Sequence, residues 1–558
     1  MAYGIFEPPS DRVPGTVHLF DGLSLEHNVE IAHADLASSR LKRHGNIILV
    51  PQPSDSVNDP LNWSTWKKDR VLAVLCLASI MSAVVSPLIA SSSTVLLLYF
   101  RHGFRDIALL TGWYLVSGAI GALFVTALAV KYGKRFPYIF ACVILVASSA
   151  WAGAATSYKS FIWARILQGL SLAPFEVLVN TSIGDMYFVH QRGYRLAVAN
   201  LCLFGATFLA PIIAGHITHA MGWHWLFWFV LIFSSVTLLL VVFFLPEHVY
   251  KRDHMLDTDI VGEREIEEQR SNSPATSNVA EFAAATTSSD DMTEKPAPAS
   301  PTIEQPETFL QSLRLFSGSK SDKPLWKIFL RPFPLILHPG IIFAALTQAP
   351  LIAWTVTIGV VLAAIFLGPP LWYTEVDVGN LYTGALIGSL VGFVIAGVFS
   401  DWLAKLMSRH NNNIYEPEYR LLLVIPQLIC GCTGIWGFGI TANNMYKYSK
   451  YLPPFFFGVE TCGMIIGAVA SGAYITDAHR DIQVEAFVML VLVKNLVSFA
   501  LTERAYNWLV SAGVKHCFVV AGSIQAAISV VTFFFYFFGK WSRYWSHKHN
   551  LLEKLNLN

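Results

Sequence analysis

Twelve long apolar stretches govern what this chain can become. They cover residues 71–91, 107–130, 137–155, 161–187, 196–217 and 223–245, then 341–367, 381–403, 421–440, 454–475, 484–501 and 518–538. A hydrocarbon layer about 30 Å thick is crossed by roughly 20 helical residues. A helix pairs nearly all of its backbone groups within one segment, which lipid demands. The pattern predicts an all-α membrane protein with twelve transmembrane helices. Residues 92–100 either continue the first span or lie along the interface. Composition agrees: of 558 residues, 54% are hydrophobic and 14% charged, whereas soluble domains carry about a quarter charged residues. A net charge of +1, with no basic stripe bearing interleaved aromatics, gives no sign of nucleic-acid binding.

The charges mark the ends of the spans. Lys67, Lys68 and Arg70 precede the first, Lys131, Lys134 and Arg135 follow the second, Arg192 and Arg195 the fourth, and Lys405, Arg409 and Arg420 the eighth. The bias of basic residues toward cytoplasmic loops places both termini inside. The expected layout is a cytoplasmic tail (1–69), a six-helix bundle (70–245), a cytoplasmic linker (246–333), a second six-helix bundle (334–540) and a short tail (541–558). Residues 271–307 of the linker are rich in Ser, Thr, Ala, Pro and acids, a composition that buries no core. Near its end Phe309, Leu310, Leu313 and Phe316 recur at helical spacing beside Arg314, which predicts a short helix on the inner membrane surface. The seven cysteines lie in or next to apolar segments, unlike a secreted disulfide framework.

Several motifs lie at the junctions. After the second span comes a loop with Lys131, Gly133, Lys134 and Arg135, where the glycine allows a reversal. The fourth span carries Arg165, Gln168 and Gly169. The fifth is broken by Gly205, Pro211 and Gly215, and the eighth ends on Gly397 and Asp401. In this order they resemble the major facilitator superfamily, whose parallel repeats of six helices suit the predicted layout. Thr126 and Val130 stand where that pattern has Gly and Asp, which weakens a charge latch in the first half. The stretches 14–19, 58–64, 185–193 and 413–421, with Lys494 and Asn495, resemble a fungal branch. That branch includes drug and secondary-metabolite effluxers and relatives of an importer of histidinol and polyamines.

Charge inside a membrane is costly unless it meets water or a partner. Arg165 and Glu176 are 11 residues apart, hence about 20° apart around a helix and roughly 16 Å along it. With Gln168 and Asn180 they form one polar stripe. The stripe either packs on a neighbouring helix or faces a cavity, and the cost of buried charge favours the cavity. Glu176 is then a candidate proton or cation site. Lys494 with Asn495 lies midway along the eleventh span, as a structural pair or a transport group. Glu460 lies in the tenth and suits substrate or ion contact.

There is no phosphate-cradling P-loop and no catalytic constellation. No enzyme activity, cofactor or metal is expected. The partners expected are a small organic substrate, protons and the lipid bilayer, with the chain acting as a monomer. The resemblance implies secondary active transport by alternating access: proton-coupled efflux of an amphipathic compound, at the plasma membrane or an internal one. Import of a small cationic metabolite and ligand sensing without transport are the competing readings.

Overall fold

The computed structural model describes residues 5–6, 17–18, 42–44, 47–49, 51–250, 311, 313–316, 318–320, 323–366, 371–411, 414–479, 482–549, 551–555 and 557. Before the central segment, long helices run over Thr65–Val85 (α1), Phe104–Tyr132 (α3), Arg135–Gly153 (α4), Tyr158–Met186 (α5), Val189–Met221 (α6) and His224–Phe244 (α7). A short helix, Ser93–Phe100 (α2), sits between the first two. After Leu325–Leu330 (α8) come Pro339–Phe366 (α9), Glu375–His410 (α10), Val424–Asn443 (α11), Leu452–Ala478 (α12), Gln483–Ala512 (α13) and Val514–Lys548 (α14). Among the described residues, eleven helices are long and apolar enough to cross a membrane; α1 falls outside that group. Its first turns contain Lys67, Lys68, Asp69 and Arg70.

Each predicted span lies on one of these long helices, and most helices run beyond the apolar stretch because their polar ends continue the hydrogen-bond ladder past the hydrocarbon. The first span differs. Helix α1 stops at Val85, the chain passes through Ser86 and Pro87, and α2 restarts at Ser93, so residues 92–100 do not extend α1. Helix starts follow their caps. Ser64 accepts from the Lys67 amide at 3.4 Å, and Thr374 and Asp377 form a reciprocal capping box. Tight reversals sit at Gly133, Gly222 and Gly513, with φ of 94°, 90° and 81°, where a side chain would be strained.

The packing repeats. Helix α3 packs on α5, α4 on α5 and α7, and α1 on α6. In the second set α10 packs on α12, α11 on α12 and α14, and α9 on α13. The two sets meet along two seams, α6 against α10 and α3 against α13. At the first seam the backbones almost touch. A Cβ on Gly215 would lie 2.5 Å from the Glu375 carbonyl, and one on Gly379 would lie 2.6 Å from that of Pro211. Helix α6, which contains Pro211, can approach this closely only with hydrogen at those positions.

Of the predicted helix at 309–316, Gln311 is helical, and the helix does not continue over Leu313–Phe316. Leu313–Phe316 is turn and loop, with Phe316 packed 4.7 Å from the Phe136 ring. The helix before α9 is instead α8, whose Ile328 is buried and whose Phe329 ring lies 5.0 Å from Phe124 of α3. Phe309, Leu310 and the 271–307 stretch lie outside the described residues.

Candidate functional site

A cavity lies between the two sets of helices. Its empty volume is about 1140 Å³, open solvent included. Helices α1, α3, α5 and α6 wall one side and α9, α10, α12 and α13 the other. The wall is mostly apolar, with Phe104, Phe204, Phe208, Tyr382 and Phe457 as its aromatic members. Its lining includes Glu176 from the first set and Thr355, Lys494 and Asn495 from the second.

The Lys494 ammonium donates to Glu176 Oε1, joining α13 to α5 across the seam. The two side chains retain 10% and 11% of their exposure, so the pair is screened from solvent while one edge meets the cavity. Glu176 Oε2 has no hydrogen-bond partner, and neither does the amide nitrogen or oxygen of the buried Asn495. The cavity wall therefore holds one neutralised charge pair, with an unpartnered carboxylate oxygen and an unpartnered amide buried beside it. Thr355, on the same wall as Lys494, donates to Glu460 Oε1 at 2.7 Å. Glu460 is wholly buried and its second oxygen is unpartnered, which puts a carboxyl one side chain behind the cavity surface.

Arg165 is placed differently from the expected polar stripe facing a cavity. Its Nη1 donates to the Val85 carbonyl at 2.8 Å and to Gln168 Oε1 at 3.1 Å, and its Nη2 donates to the Ser86 carbonyl at 3.0 Å. The Tyr114 ring lies 4.8 Å from the guanidinium. These are carbonyls left unpaired where α1 ends, and a cation is favourable at a helix C-terminus. Arg165 stands behind the unwound stretch whose Ser86, Pro87 and Ala90 line the cavity. It braces the wall; it does not form it. Asn180 meets Asn200 Nδ2 at 3.5 Å and is absent from the lining. Glu176 pairs with Lys494, a residue 318 positions away, and not with its helix neighbour.

The loop after α3 carries no acid, as the sequence showed, but acids from other elements meet it. Glu247, just past α7, accepts from the Lys134 and Arg135 amides at 3.2 and 3.1 Å. It caps the start of α4 and lies against Gly133. Lys134 Nζ donates to Asp185 Oδ2 at 2.6 Å, and Arg135 Nη2 to the Val242 carbonyl at 2.8 Å. Lys131 accepts the Lys320 amide at 2.8 Å through its carbonyl. In the second set Arg420, before α11, donates to Asp477 at the end of α12 at 2.6 Å and to Ser400 at 2.7 Å. This reproduces the Lys134–Asp185 relation of α4 and α5. Gly397 has open space beside it; Asp401 is helical, and its side chain lies outside the described residues. Gly205 is likewise uncrowded, with only Leu201 near.

Sequence reasoning missed the roles inside the motifs. Glu416 and Glu418, in the 413–421 stretch, bind buried Arg543 at 2.7 Å each, and Lys540 binds Glu416 at 2.6 Å. The strand Ile414–Tyr415 pairs antiparallel with Val17–His18 of the 14–19 stretch, so two distant motifs are one structure. Asp59 accepts from the Ser54 and Leu61 amides at 3.0 Å each, fixing the entry to α1. Charge alternation in 413–421 was the one available signal; the partners were invisible. Near the same end His338 and His479 stack edge to face at 4.5 Å. Burial pushes His338 down to about 4. Burial, then the nearby His338 and Arg543, hold His479 well below the usual imidazole range. His248, donating to or accepting from Ser182 at 2.8 Å, is also lowered, mainly by burial.

The family model described as Major Facilitator Superfamily matches residues 71–502. Among curated proteins, Protein HOL1 of Saccharomyces cerevisiae is 26% identical, with 98% of each chain covered. The Major facilitator superfamily multidrug transporter FLU1 of Candida albicans is 23% identical, covering 89% of this chain and 75% of that one. Among solved structures the proton:xylose symporter XylE aligns with a TM-score of 0.55 at 14% identity, covering 85% of this chain and 96% of XylE. That likeness speaks to fold.

Proposed function

This chain belongs to the Major Facilitator Superfamily, and we propose that it exports a small amphipathic organic compound in exchange for protons by alternating access. Its membership makes it a multi-span, secondary active membrane transporter of a small organic solute, not an enzyme. The finer reading adds efflux, proton coupling and a twelve-span topology with α1 as the first span and both termini inside. It also assigns the plasma membrane as the site of action and the monomer as the working unit.

The observation that carries the reading is the Glu176–Lys494 pair on the wall of the cavity between the two sets of helices. An apolar, aromatic cavity suits an amphipathic solute. A carboxylate whose partner sits on the other set can take a proton, releasing the ammonium, as the two sets rock about a central site. Similarity to a protein named as a multidrug transporter supports the efflux reading. Import of a small cationic metabolite is the second reading, supported by Glu460, a buried carboxyl that Thr355 connects to the cavity.

Vesicles inverted so that the basic loops face outward test the first reading. A panel of amphipathic compounds and polyamines is offered with a proton gradient, acid inside, imposed and then collapsed. Accumulation of an amphipathic compound that stops on collapse is expected. Accumulation of polyamines only in right-side-out vesicles would favour import. Protease added to intact cells should leave the 271–307 segment uncut; cleavage there would overturn the topology.

A further inference from the structure

We propose that Cys430 and Cys462 are a site of oxidation by lipid hydroperoxides, and that the disulfide they form fastens α12 to α11. The two helices cross with almost no space between their backbones. A Cβ on Gly463 would lie 2.5 Å from the Gly431 amide nitrogen and 2.9 Å from its α-carbon, which puts the two α-carbons within about 4.5 Å of each other. Cys430 and Cys462 are the chain neighbours of these glycines, one on each helix. Their thiols are reduced and in hydrogen-bonding contact. Disulfides hold α-carbons roughly 4.4–6.8 Å apart, so at a crossing this tight the bond forms by rotation of the two side chains, with both helices in place.

The surroundings select the oxidant. Cys462 is buried with Ala396, Ile466 and Ala470, and Cys430 sits half-buried at the edge of that cluster. Ile429 and Thr433, which flank Cys430 on α11, are exposed, and the helix is apolar enough to span a membrane, so Cys430 is approached from the acyl chains. Cys430 lies 13 residues before the end of α11 and Cys462 lies 10 residues after the start of α12, hence about 20 and 15 Å along the axes from those helix ends. A polar oxidant does not reach that depth, whereas a hydroperoxide carried on an unsaturated acyl chain does. The Cys430 sulfur attacks the terminal peroxide oxygen; the O–O bond breaks, an S–O bond forms, and the thiol proton leaves with the lipid alkoxide as an alcohol. The Cys462 sulfur then attacks the Cys430 sulfenic acid; the S–S bond forms, and the oxygen departs with the Cys462 proton as water. Two thiols are oxidised and one hydroperoxide is reduced. Helix α12 also carries Phe457 and Met464 of the cavity wall and Glu460 behind it. Its contacts on both sides are glycine-lined, Gly392 of α10 against the Cys462 carbonyl and Gly431 of α11 against Gly463. No interlocking side chain holds α12 at those two points, and the disulfide supplies a covalent one.

The full-length protein is reduced, placed in phosphatidylcholine vesicles and exposed either to the hydroperoxide of linoleoyl phosphatidylcholine or to oxidised glutathione. Remaining thiols are then blocked and the peptides weighed. The lipid hydroperoxide should give a Cys430–Cys462 linked peptide, two hydrogens lighter than the separate pair and lost again on reduction. Oxidised glutathione should give none. In Cys462→Ser the Cys430 sulfenic acid has no thiol to meet and should be captured by dimedone. In Cys430→Ser, Cys462 should stay a thiol. Alanine at either position repeats the test if serine lowers the melting temperature. Cys76 and Cys202, which also meet, stay in every variant and are followed by their own peptides. Amide exchange across 457–464 should slow in the oxidised parent and in neither variant. No linked peptide, a link from Cys430 to Cys432 or to a second molecule, or equal linking by oxidised glutathione would overturn the proposal. So would a dimedone adduct on Cys462 in Cys430→Ser, or unchanged amide exchange in the linked parent.

Discussion

Lys494 on α13 and Glu176 on α5 share a hydrogen bond at the wall of the cavity although their helices belong to different sets. Glu176 Oε2 remains without a partner. A carboxylate held by one ammonium and open on its other oxygen can exchange that ammonium for a proton. Glu176→Gln keeps shape and hydrogen bonding but cannot ionise. This variant is expected to bind substrate, to lose gradient-driven accumulation in inverted vesicles, and to retain exchange of substrate without net proton movement. An unchanged gradient response would remove Glu176 from the coupling step and pass the role to Glu460.

The same pair predicts a thermodynamic coupling. Removing one member leaves the other charge buried and unpaired, at a cost of about 3 kcal/mol. Glu176→Gln and Lys494→Met should each lower the melting temperature in detergent. The double variant should be less destabilised than the sum of the two. Additive losses would show that the contact contributes little.

Arg165 illustrates what was legible and what was not. Arg165, Gln168 and Gly169 were readable as a motif, and the energetics of lipid required a partner for the arginine. The partner, however, is the frayed end of α1, nearly 80 residues earlier, where Nη1 and Nη2 meet the Val85 and Ser86 carbonyls. Nothing local to residue 165 encodes that break. The spans themselves were legible because a continuous apolar run of that length has one stable form in lipid. Their polar ends, the packing of α8 on α3 and the latch through Glu247 were not. Each rests on a contact between segments far apart in the chain, and hydropathy carries no information about pairing. Lys494 and Glu176 were each readable as buried charges, but that they face one another was not.

Arg165→Lys therefore tests architecture more than chemistry. One ammonium cannot span both carbonyls while stacking on Tyr114 as a planar guanidinium does. Losing a charged hydrogen bond to a buried carbonyl costs about 2 kcal/mol. The expected result is lower thermal stability and impaired transport, with the pH dependence of any remaining transport unchanged. A shifted pH profile at parental stability would instead place Arg165 in the coupling chemistry.

Gly215 and Gly379 predict a steric block. Each meets a backbone carbonyl across the α6–α10 seam at a distance that excludes a side chain. Gly215→Val should hold the seam apart, slow transport strongly and increase labelling of an introduced cavity cysteine, such as Thr111→Cys, by a membrane-impermeant thiol reagent applied from the side of the α6–α7 loop. Parental labelling and transport would show that the seam does not need this contact.

The His338–His479 stack sets a dependence on acidity whose sign follows from the direction of the shifts. Both imidazoles are lowered in the fold, His338 to about 4 from an ordinary 6.5. Between those values the unfolded chain binds more protons than the folded one, so stability rises with pH there. The contribution is fully present above about pH 6.5 and is lost as pH falls toward 4. A shift of that size corresponds to roughly 3 kcal/mol for His338 alone. His338→Asn keeps a polar side chain that cannot be protonated. Melting curves of the detergent-purified protein between pH 7 and pH 4.5 should show a smaller acid-induced drop in this variant than in the parent. Equal drops would mean that His338 is already charged in the folded state, or is released from its buried site before the protein melts.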